Sequence, residues 1–376
     1  MNYGMIVGTL FAAAVSLFSS ANNAFAQSSA EEASVPFTLA AMGDIMLGTE
    51  NLLPPDGARG FFIDVKPYLR GRDIIFGNLE GPLTDRGSPT KDTSTGRSFC
   101  FRTPPAYGAV LKEAGFNILS LANNHAFDYG PEGRAQTVQV LESLDISHTG
   151  APGQISRRTI RGQGFAFIGL APNSGCQNIN DISGAVALVK TALREDPASL
   201  VIVSMHGGAE GSAHMALPDG PEVFMGENRG DLRRLSRALI DAGAALVIGH
   251  GPHVPRGVEV YKDRLIVYSL GNFATASGIN VQGATGLAPL LLAEIDAKGK
   301  ILHYDFVSFR QERNKGPRFD PSDEAAKTIR QLSLALGTQM PPRKSGASRS
   351  GRPQALQARK AGEGDEAREH PESHLQ

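Results

Sequence analysis

The chain has 376 residues, 41% hydrophobic and 20% charged, which is enough to bury the core of one large domain or two medium ones. A formal net charge of -1 gives no general attraction for nucleic acid or for an anionic membrane surface. Tryptophan is absent, which excludes recognition by Trp stacking.

No charged side chain occurs in residues 1–30. The apolar stretch 5–18 followed by Ala24-Phe25-Ala26 has the form of a secretory leader, expected over 1–26. Export to the periplasm or the exterior follows, with anchoring as the outcome if the leader is kept; the apolar stretch is short for a membrane span. The two cysteines are Cys100 and Cys176. An even count in an oxidising compartment invites a disulfide, and this pair is expected to be bridged.

A short polar linker, 27–34, leads to an apolar strand over 38–43 that runs into Asp44. A short helix is expected over 61–69, then a strand over 73–77 that gives out into Asn78-Leu79-Glu80. Residues 81–98 are polar and rich in Gly, Pro, Ser and Thr; loops of this length in a compact domain are often functional lids. Pro104-Pro105 opens a helix that Gly115 closes, the usual placing of proline at the start and glycine past the end. The strand over 117–122 ends in Asn123-Asn124-His125, and a helix is expected over 131–144.

A strand over 165–170 and a helix over 183–194, with Ser183 as N-cap, come next. The strand over 200–205 ends in His206, and a basic amphipathic helix over 231–242 stops at Gly243. Leu246-Val247-Ile248-Gly249 then runs into His250-Gly251-Pro252-His253. The pattern changes after Gly257: 258–261 and 265–268 around Lys262-Asp263 read as a β-hairpin, and 287–295 with 301–309 as a second strand pair. The expected fold class is α/β, with a closing β-meander, in a main domain over 35–311. A helical extension is expected over 312–340. The tail 341–376 has the composition of disorder.

Five apolar strands thus deliver Asp44, Glu80, the Asn124-His125 pair, His206 and the His250/His253 pair at their carboxyl ends. That edge is where open α/β sheets bind ligands. One histidine at a strand end is most often a hydrogen-bonded structural residue; five strand ends repeating the arrangement point to a metal. Oxygen and nitrogen donors without thiolate suit Mn, Fe, Zn, Co or Mg rather than a structural zinc. Glu80 is a carboxylate that can bridge, and two ions roughly 3.5–4 Å apart clamp a phosphoryl group and activate water. His125 is better placed as an acid than as a ligand, with Asp128 three residues on to orient the ring and raise its pKa. Arg97, Arg102, Arg229 and Arg256 flank these motifs as candidates for holding an anion, solvated surface arginine being the plainer alternative.

The stretches Gly43-Asp44-Ile45-Met46-Leu47-Gly48, Gly77-Asn78-Leu79-Glu80-Gly81-Pro82-Leu83-Thr84, Ala122-Asn123-Asn124-His125-Ala126-Phe127-Asp128-Tyr129-Gly130, Gly249-His250-Gly251-Pro252-His253-Val254 and Tyr268-Ser269-Leu270-Gly271-Asn272-Phe273 together resemble the motif set of the CapA family. That family is named for capsule and poly-γ-glutamate synthesis and belongs to the calcineurin-like metallophosphoesterase superfamily. The resemblance, over about 37–309, implies a β-sandwich flanked by helices and a dinuclear centre of divalent metal ions. Carried over by motif, Asp44 is similar to the first ligand, Glu80 to the bridging carboxylate, Asn124 to the Asn ligand and His125 to the acid. His206 resembles the fourth-motif ligand, and His250 with His253 the final pair. Met46 stands where relatives carry a histidine, and Gly207 where many carry tryptophan. The final pair here is His-x-x-His where the superfamily usually has His-x-His, with Gly251 where many relatives have histidine.

The function implied is an exported metal-dependent hydrolase acting on a phosphoester or related bond. Its substrate is an anionic small molecule or polymer, its partners membrane proteins of capsule synthesis, and nucleic acid has no part. The alternative is a non-catalytic accessory protein that holds a polyanionic chain during synthesis or export.

Overall fold

The computed structural model describes residues 35–49, 52–94, 98–276 and 278–342. One sheet runs in the order β17 (Gly316–Phe319), β16 (Ile301–Glu312), β15 (Leu287–Ile295), β1 (Phe37–Met46), β2 (Ile74–Leu79), β3 (Ile118–Ser120), β4 (Ser147–Thr149), with β14 (Asn272–Thr275) also paired to β1. The other runs β12 (Val258–Tyr261), β13 (Arg264–Val267), β11 (Leu246–His250), β8 (Leu200–His206), β6 (Gln163–Ala171), β5 (Ser156–Ile160), with β7 (Gln177–Asn178) on β6. A separate hairpin joins β9 (Val223–Phe224) and β10 (Glu227–Asn228). The helices are α1 (Lys66–Leu69), α2 (Gly108–Ala114), α3 (Gly130–Ser143), α4 (Ile182–Glu195), α5 (Leu232–Asp241) and α6 (Glu324–Ala335).

Side-chain alternation explains the layering. From β1, Leu39 and Ala41 join an apolar cluster that also holds Phe165 and Phe167 of β6 and Leu246 and Ile248 of β11. This is the core between the sheets. Ala40 and Met42 point the other way, into a cluster with Val110 and Leu111 of α2 and Leu141 of α3. Ala166, Ile168 and Val247 likewise turn outward, onto Val189 of α4 and Leu235 of α5. The result is two central sheets flanked by helices. Strands buried on both faces must be apolar throughout, which is why the central strands read as unbroken runs.

The pairs β1–β2–β3 and β6–β8–β11 are parallel, so their carboxyl ends gather at common edges. The closing strands β15, β16 and β17 form the expected meander, antiparallel at each step. The hairpin β12–β13 joins the other sheet, its Lys262 and Asp263 at φ of 49° and 59°, the left-handed pair that a two-residue hairpin turn requires. Gly43 is fixed by close approach, since a Cβ there would lie 1.9 Å from the Gly271 carbonyl oxygen. Asp44 N–H donates to that same oxygen at 2.9 Å, seating β14 beside the site.

Several local expectations change. The N-cap of α4 is Asp181, which accepts from Gly184 N–H, while Ser183 donates its hydroxyl to Asp181. The helix near 61–69 is regular only over Lys66–Leu69. The segment 312–340 contributes an edge strand, β17, and α6, whose Ala326 and Ile329 enter the core between the sheets. Cys100 and Cys176 are two free thiols, not a disulfide. Each is committed to a different environment: Cys176 is buried among Ala122, Ala126 and Ala171, and Cys100 lies between Phe99 and Phe101, whose rings stack on each other. The leader over 1–26, Arg97 and the tail from 343 lie outside the described residues. Among the described residues no helix is long and apolar enough to cross a membrane.

Candidate metal centre

Asp44 lies in β1, Glu80 directly follows β2, His206 ends β8 and His250 ends β11, and all four are fully buried. Register brings them together: Asp44 stands opposite Asn78, next but one to Glu80, and His206 stands opposite His250. Ligand atoms of Asp44, Glu80 and His206 all lie within 4.8 Å of one another, a group that could hold a metal ion. Asp44 Oδ1 accepts from Asn78 Nδ2 at 2.8 Å and is 3.6 Å from His250 Nδ1.

His253 reaches the cluster through a turn. Gly251 packs on Gly207, where a Cβ would meet backbone atoms at 2.7 Å, so no imidazole fits at that position. His253 itself takes φ of 58°, a left-handed conformation costing roughly 1–2 kcal/mol for a residue with a Cβ. Its Nδ1 lies 3.0 Å from Asp44 Oδ2 and 3.1 Å from Asn272 Oδ1. Asn272 Nδ2 donates to the Thr285 carbonyl at 3.2 Å, which fixes its oxygen toward the ring. With an acceptor on each side, Nδ1 carries a hydrogen. Nε2 faces Glu80 Oε1 at 3.7 Å and Glu210 Oε2 at 3.8 Å.

Both oxygens of Glu80, both ring nitrogens of His250, Nε2 of His206 and Oδ1 of Asn124 are buried without a hydrogen-bond partner. Leaving one such atom unpaired costs about 1–3 kcal/mol. The oxygens of Glu80 and one nitrogen of each neutral imidazole are lone pairs that a divalent cation satisfies, and these ligand types fit one. Burial pushes the His206 imidazole well below its ordinary range and that of His250 down to about 4, so both are neutral, the form that ligates. Burial and the charge of Asp44 push the Glu80 carboxyl well above its ordinary range. Burial opposes charge on Asp44 too, but the hydrogen bond and charge of His253 hold it at about 2. Burial works against the His253 cation, yet Glu80 and Asp44 raise it to about 10. A proton on His253 thus partly balances two carboxylates.

His125 and Asp128 form the second half of the site. His125 Nδ1 is 2.7 Å from Asp128 Oδ2, as their spacing predicts. Phe101 N–H donates to the same oxygen at 2.6 Å, and Lys91 Nζ stands 2.6 Å from the other. The Phe101 ring covers the imidazole, centroid to centroid 4.2 Å. The expected rise in the His125 pKa is corrected: burial lowers it, with Asp128 opposing and Lys91 adding to the fall. Asn123 holds this turn to β2, donating to Asn78 Oδ1 and the Leu79 carbonyl while accepting from His125 N–H.

Lys91 is a residue that sequence reasoning missed. It comes from the long loop over 81–98, which docks on the turn through Thr90 N–H to the Asp128 carbonyl, and its Nζ also donates to the Asn124 carbonyl at 2.9 Å. Glu210 and Asn272 were missed as well. Two of the arginines are corrected. Arg256 is fully buried and forks onto both Glu222 oxygens at 2.7 Å. Arg229 is 3% exposed and pairs with Glu210 and Glu227. Arg102 lies over the Tyr129 ring.

Comparison with known proteins places this geometry. A family model described as "Bacterial capsule synthesis protein PGA_cap" matches residues 38–277. The chain is 32% identical over 266 residues to the capsule biosynthesis protein CapA of Bacillus anthracis, covering 64% of this chain and 60% of that protein. It therefore spans about three-fifths of the length of that relative. It is 26% identical over 297 residues to a probable polyglutamine synthesis accessory protein of Mycobacterium tuberculosis, covering 70% of this chain and 73% of that one. Among solved structures, the 5'-nucleotidase precursor of Thermus thermophilus gives a TM-score of 0.42 at 16% identity, over 81% of this chain and 60% of that one. The family match runs from β1 through β14 and contains every residue of the site just described, and the chain belongs to the bacterial capsule synthesis protein PGA_cap family.

Proposed function

We propose that this chain is an exported, divalent-cation-dependent hydrolase of an anionic substrate, cleaving a phosphoester or related bond in the synthesis of a capsule or poly-γ-glutamate-type polymer. The observation that carries the reading is the set of buried, unpartnered acceptors on Glu80, His206 and His250 beside Asp44. Asp44, Glu80, Asn124, His206, His250 and His253 are the residues that would hold manganese, iron, zinc or magnesium, two ions if Glu80 bridges. Bound there, such ions supply Lewis-acid polarisation of a substrate oxygen.

His125 handles the proton. Its Nδ1–H is held by Asp128, which leaves Nε2 as the nitrogen that exchanges. Lys91 neutralises the second Asp128 oxygen, and the Phe101 ring keeps water off one face of the imidazole. Burial leaves the ring neutral at rest. The negative charge of an arriving substrate raises its proton affinity, so that the ring takes a proton and delivers it to a leaving group.

The test uses the purified full chain with Mn²⁺ on bis-p-nitrophenyl phosphate, with and without chelator. Turnover that needs Mn²⁺ and stops with chelator is expected. Bound Mn²⁺ without turnover of phosphoesters or γ-glutamyl amides would leave the second reading, an accessory protein holding a polyanionic chain. The Mycobacterium relative, described as a probable accessory protein, favours that second reading. For export, intact mass should show a mature chain beginning at Gln27; a retained leader on membrane-bound material would refute it.

A further inference from the structure

Glu210 has no role in the reading above, yet the fold presents it to the centre. The segment after His206 is tied down on both sides by backbone bonds. Gly207 N–H donates to the His250 carbonyl at 2.9 Å, Gly208 N–H to the Arg229 carbonyl at 2.8 Å and Gly211 N–H to the Pro252 carbonyl at 2.9 Å. Ala209 N–H donates to Glu222 Oε2 at 2.9 Å. Glu210 is thereby placed beside the loop that carries His253. One of its oxygens, Oε1, accepts from Arg229 Nη2 at 2.6 Å. The other, Oε2, looks at His253 Nε2 from 3.8 Å, too far for a hydrogen bond. The same nitrogen is 3.7 Å from Glu80 Oε1, an oxygen that is buried and unpartnered.

The His253 tautomer makes this arrangement informative. Nδ1 carries a hydrogen because Asp44 and Asn272 both present acceptors to it. Nε2 points at two carboxylate oxygens, and a divalent ion binding there would displace the proton they hold on it. Atoms that share one cation at about 2.0–2.2 Å stand roughly 3 to 4 Å apart, and the two distances from Nε2 lie in that range.

We propose that Glu210 is a further cation ligand of this centre, completing with His253 and Glu80 a divalent-ion position beside the one at Asp44, Glu80 and His206. The inference rests on the metal-dependent reading above. Arg229 acts from outside, holding Oε1 so that Oε2 faces inward. The competing account is that Glu210 is only the counter-ion of Arg229.

Mn²⁺ binding by the full chain separates the two. Apo protein is titrated with Mn²⁺, free ion is followed by electron paramagnetic resonance, and bound ion is counted after gel filtration. Glu210→Gln keeps an oxygen for Arg229 but removes the charge, and should weaken one class of Mn²⁺ by tenfold or more. Glu210→Asp, which keeps the charge with a shorter reach, should lose less. Arg229→Met should keep Mn²⁺ within a few-fold of wild type, whatever it does to the melting temperature. Wild-type Mn²⁺ binding in Glu210→Gln would overturn the inference alone. So would equal loss of Mn²⁺ in Glu210→Gln and Arg229→Met with matching falls in melting temperature. Failure of the wild-type chain to bind any Mn²⁺ would overturn the metal-dependent reading together with the inference.

Discussion

Glu80 and Asp128 are both fully buried carboxylates placed within the same site. Asp128 is satisfied by the protein: the His125 ring, the Phe101 N–H and the Lys91 ammonium all meet it within 2.7 Å. Glu80 meets no donor, and its nearest ionic neighbours, His253 and His206, stand 3.7 and 3.9 Å away. A buried charge is tolerated when it is paired and hydrogen-bonded. By that rule the His125–Asp128 half of the site is complete within the chain, while Glu80 lacks the donor that a bound cation would replace. Binding and proton transfer should therefore separate by mutation.

The widest break in the comparison is expected from Glu80→Ala. Removing the carboxylate that faces both His206 and His253 should bring bound manganese to background, and turnover with it. Elemental analysis checks this, and wild-type metal content in the variant would erase the distinction between the two carboxylates. Next, His125→Ala should keep its metal and lose rate on the order of 10²–10⁴-fold. Asp128→Asn should show a smaller loss of the same kind, because it disturbs only the orientation and basicity of the ring. Equal metal loss in His125→Ala and Glu80→Ala would make His125 a ligand instead.

The pH dependence of the metal-free protein sharpens the contrast further. An unfolded histidine takes up its proton near pH 6.5, whereas buried His250 resists until about 4. Between those values the unfolded state binds more protons, so stability is full above the window and falls as pH drops through it. The loss from this one group is about 3 kcal/mol. Urea midpoints at pH 7 and pH 4.5 measure it, and a flat profile would count against a buried neutral His250. The smallest effect belongs to Glu80→Gln without metal. Trading a carboxyl that burial and Asp44 disfavour as an anion for a neutral amide should stabilise the apo protein by about 1 kcal/mol. A lower apo melting temperature would show that Glu80 has a donor after all.

Much of this site can be read from residue order. Asp44, Glu80, His206 and His250 are visible because a strand buried on both faces must be apolar until it leaves the core, and each of these residues marks that exit. His125 and Asp128 are visible as a pair because one turn separates them. The direction of the His125 shift is not, since spacing shows the carboxylate but not the burial that outweighs it. Lys91 sits in a loop of similar polar residues, and only its docking on the 123–128 turn selects it. Arg256 reads as a surface cation until the fold buries it against Glu222. The strand β14 is four residues long, too short for a periodic signal, and it carries Asn272 into register with Asp44. The free thiols show the limit of compositional inference: an even count gives the possibility of a bridge and nothing of where the sulfurs lie.

The donors of the centre come from opposite layers of the sandwich. Asp44 and Glu80 belong to one sheet, and His206 and His250 to the other. An ion held by all of them is a fastener across the apolar core between the layers, and its grip follows mass action. Each tenfold rise in free ion above the dissociation constant adds about 1.4 kcal/mol to the folded state. If the chain is exported as proposed, the mineral content of the far compartment would govern how long the protein survives proteolysis there, before it governs how fast it works.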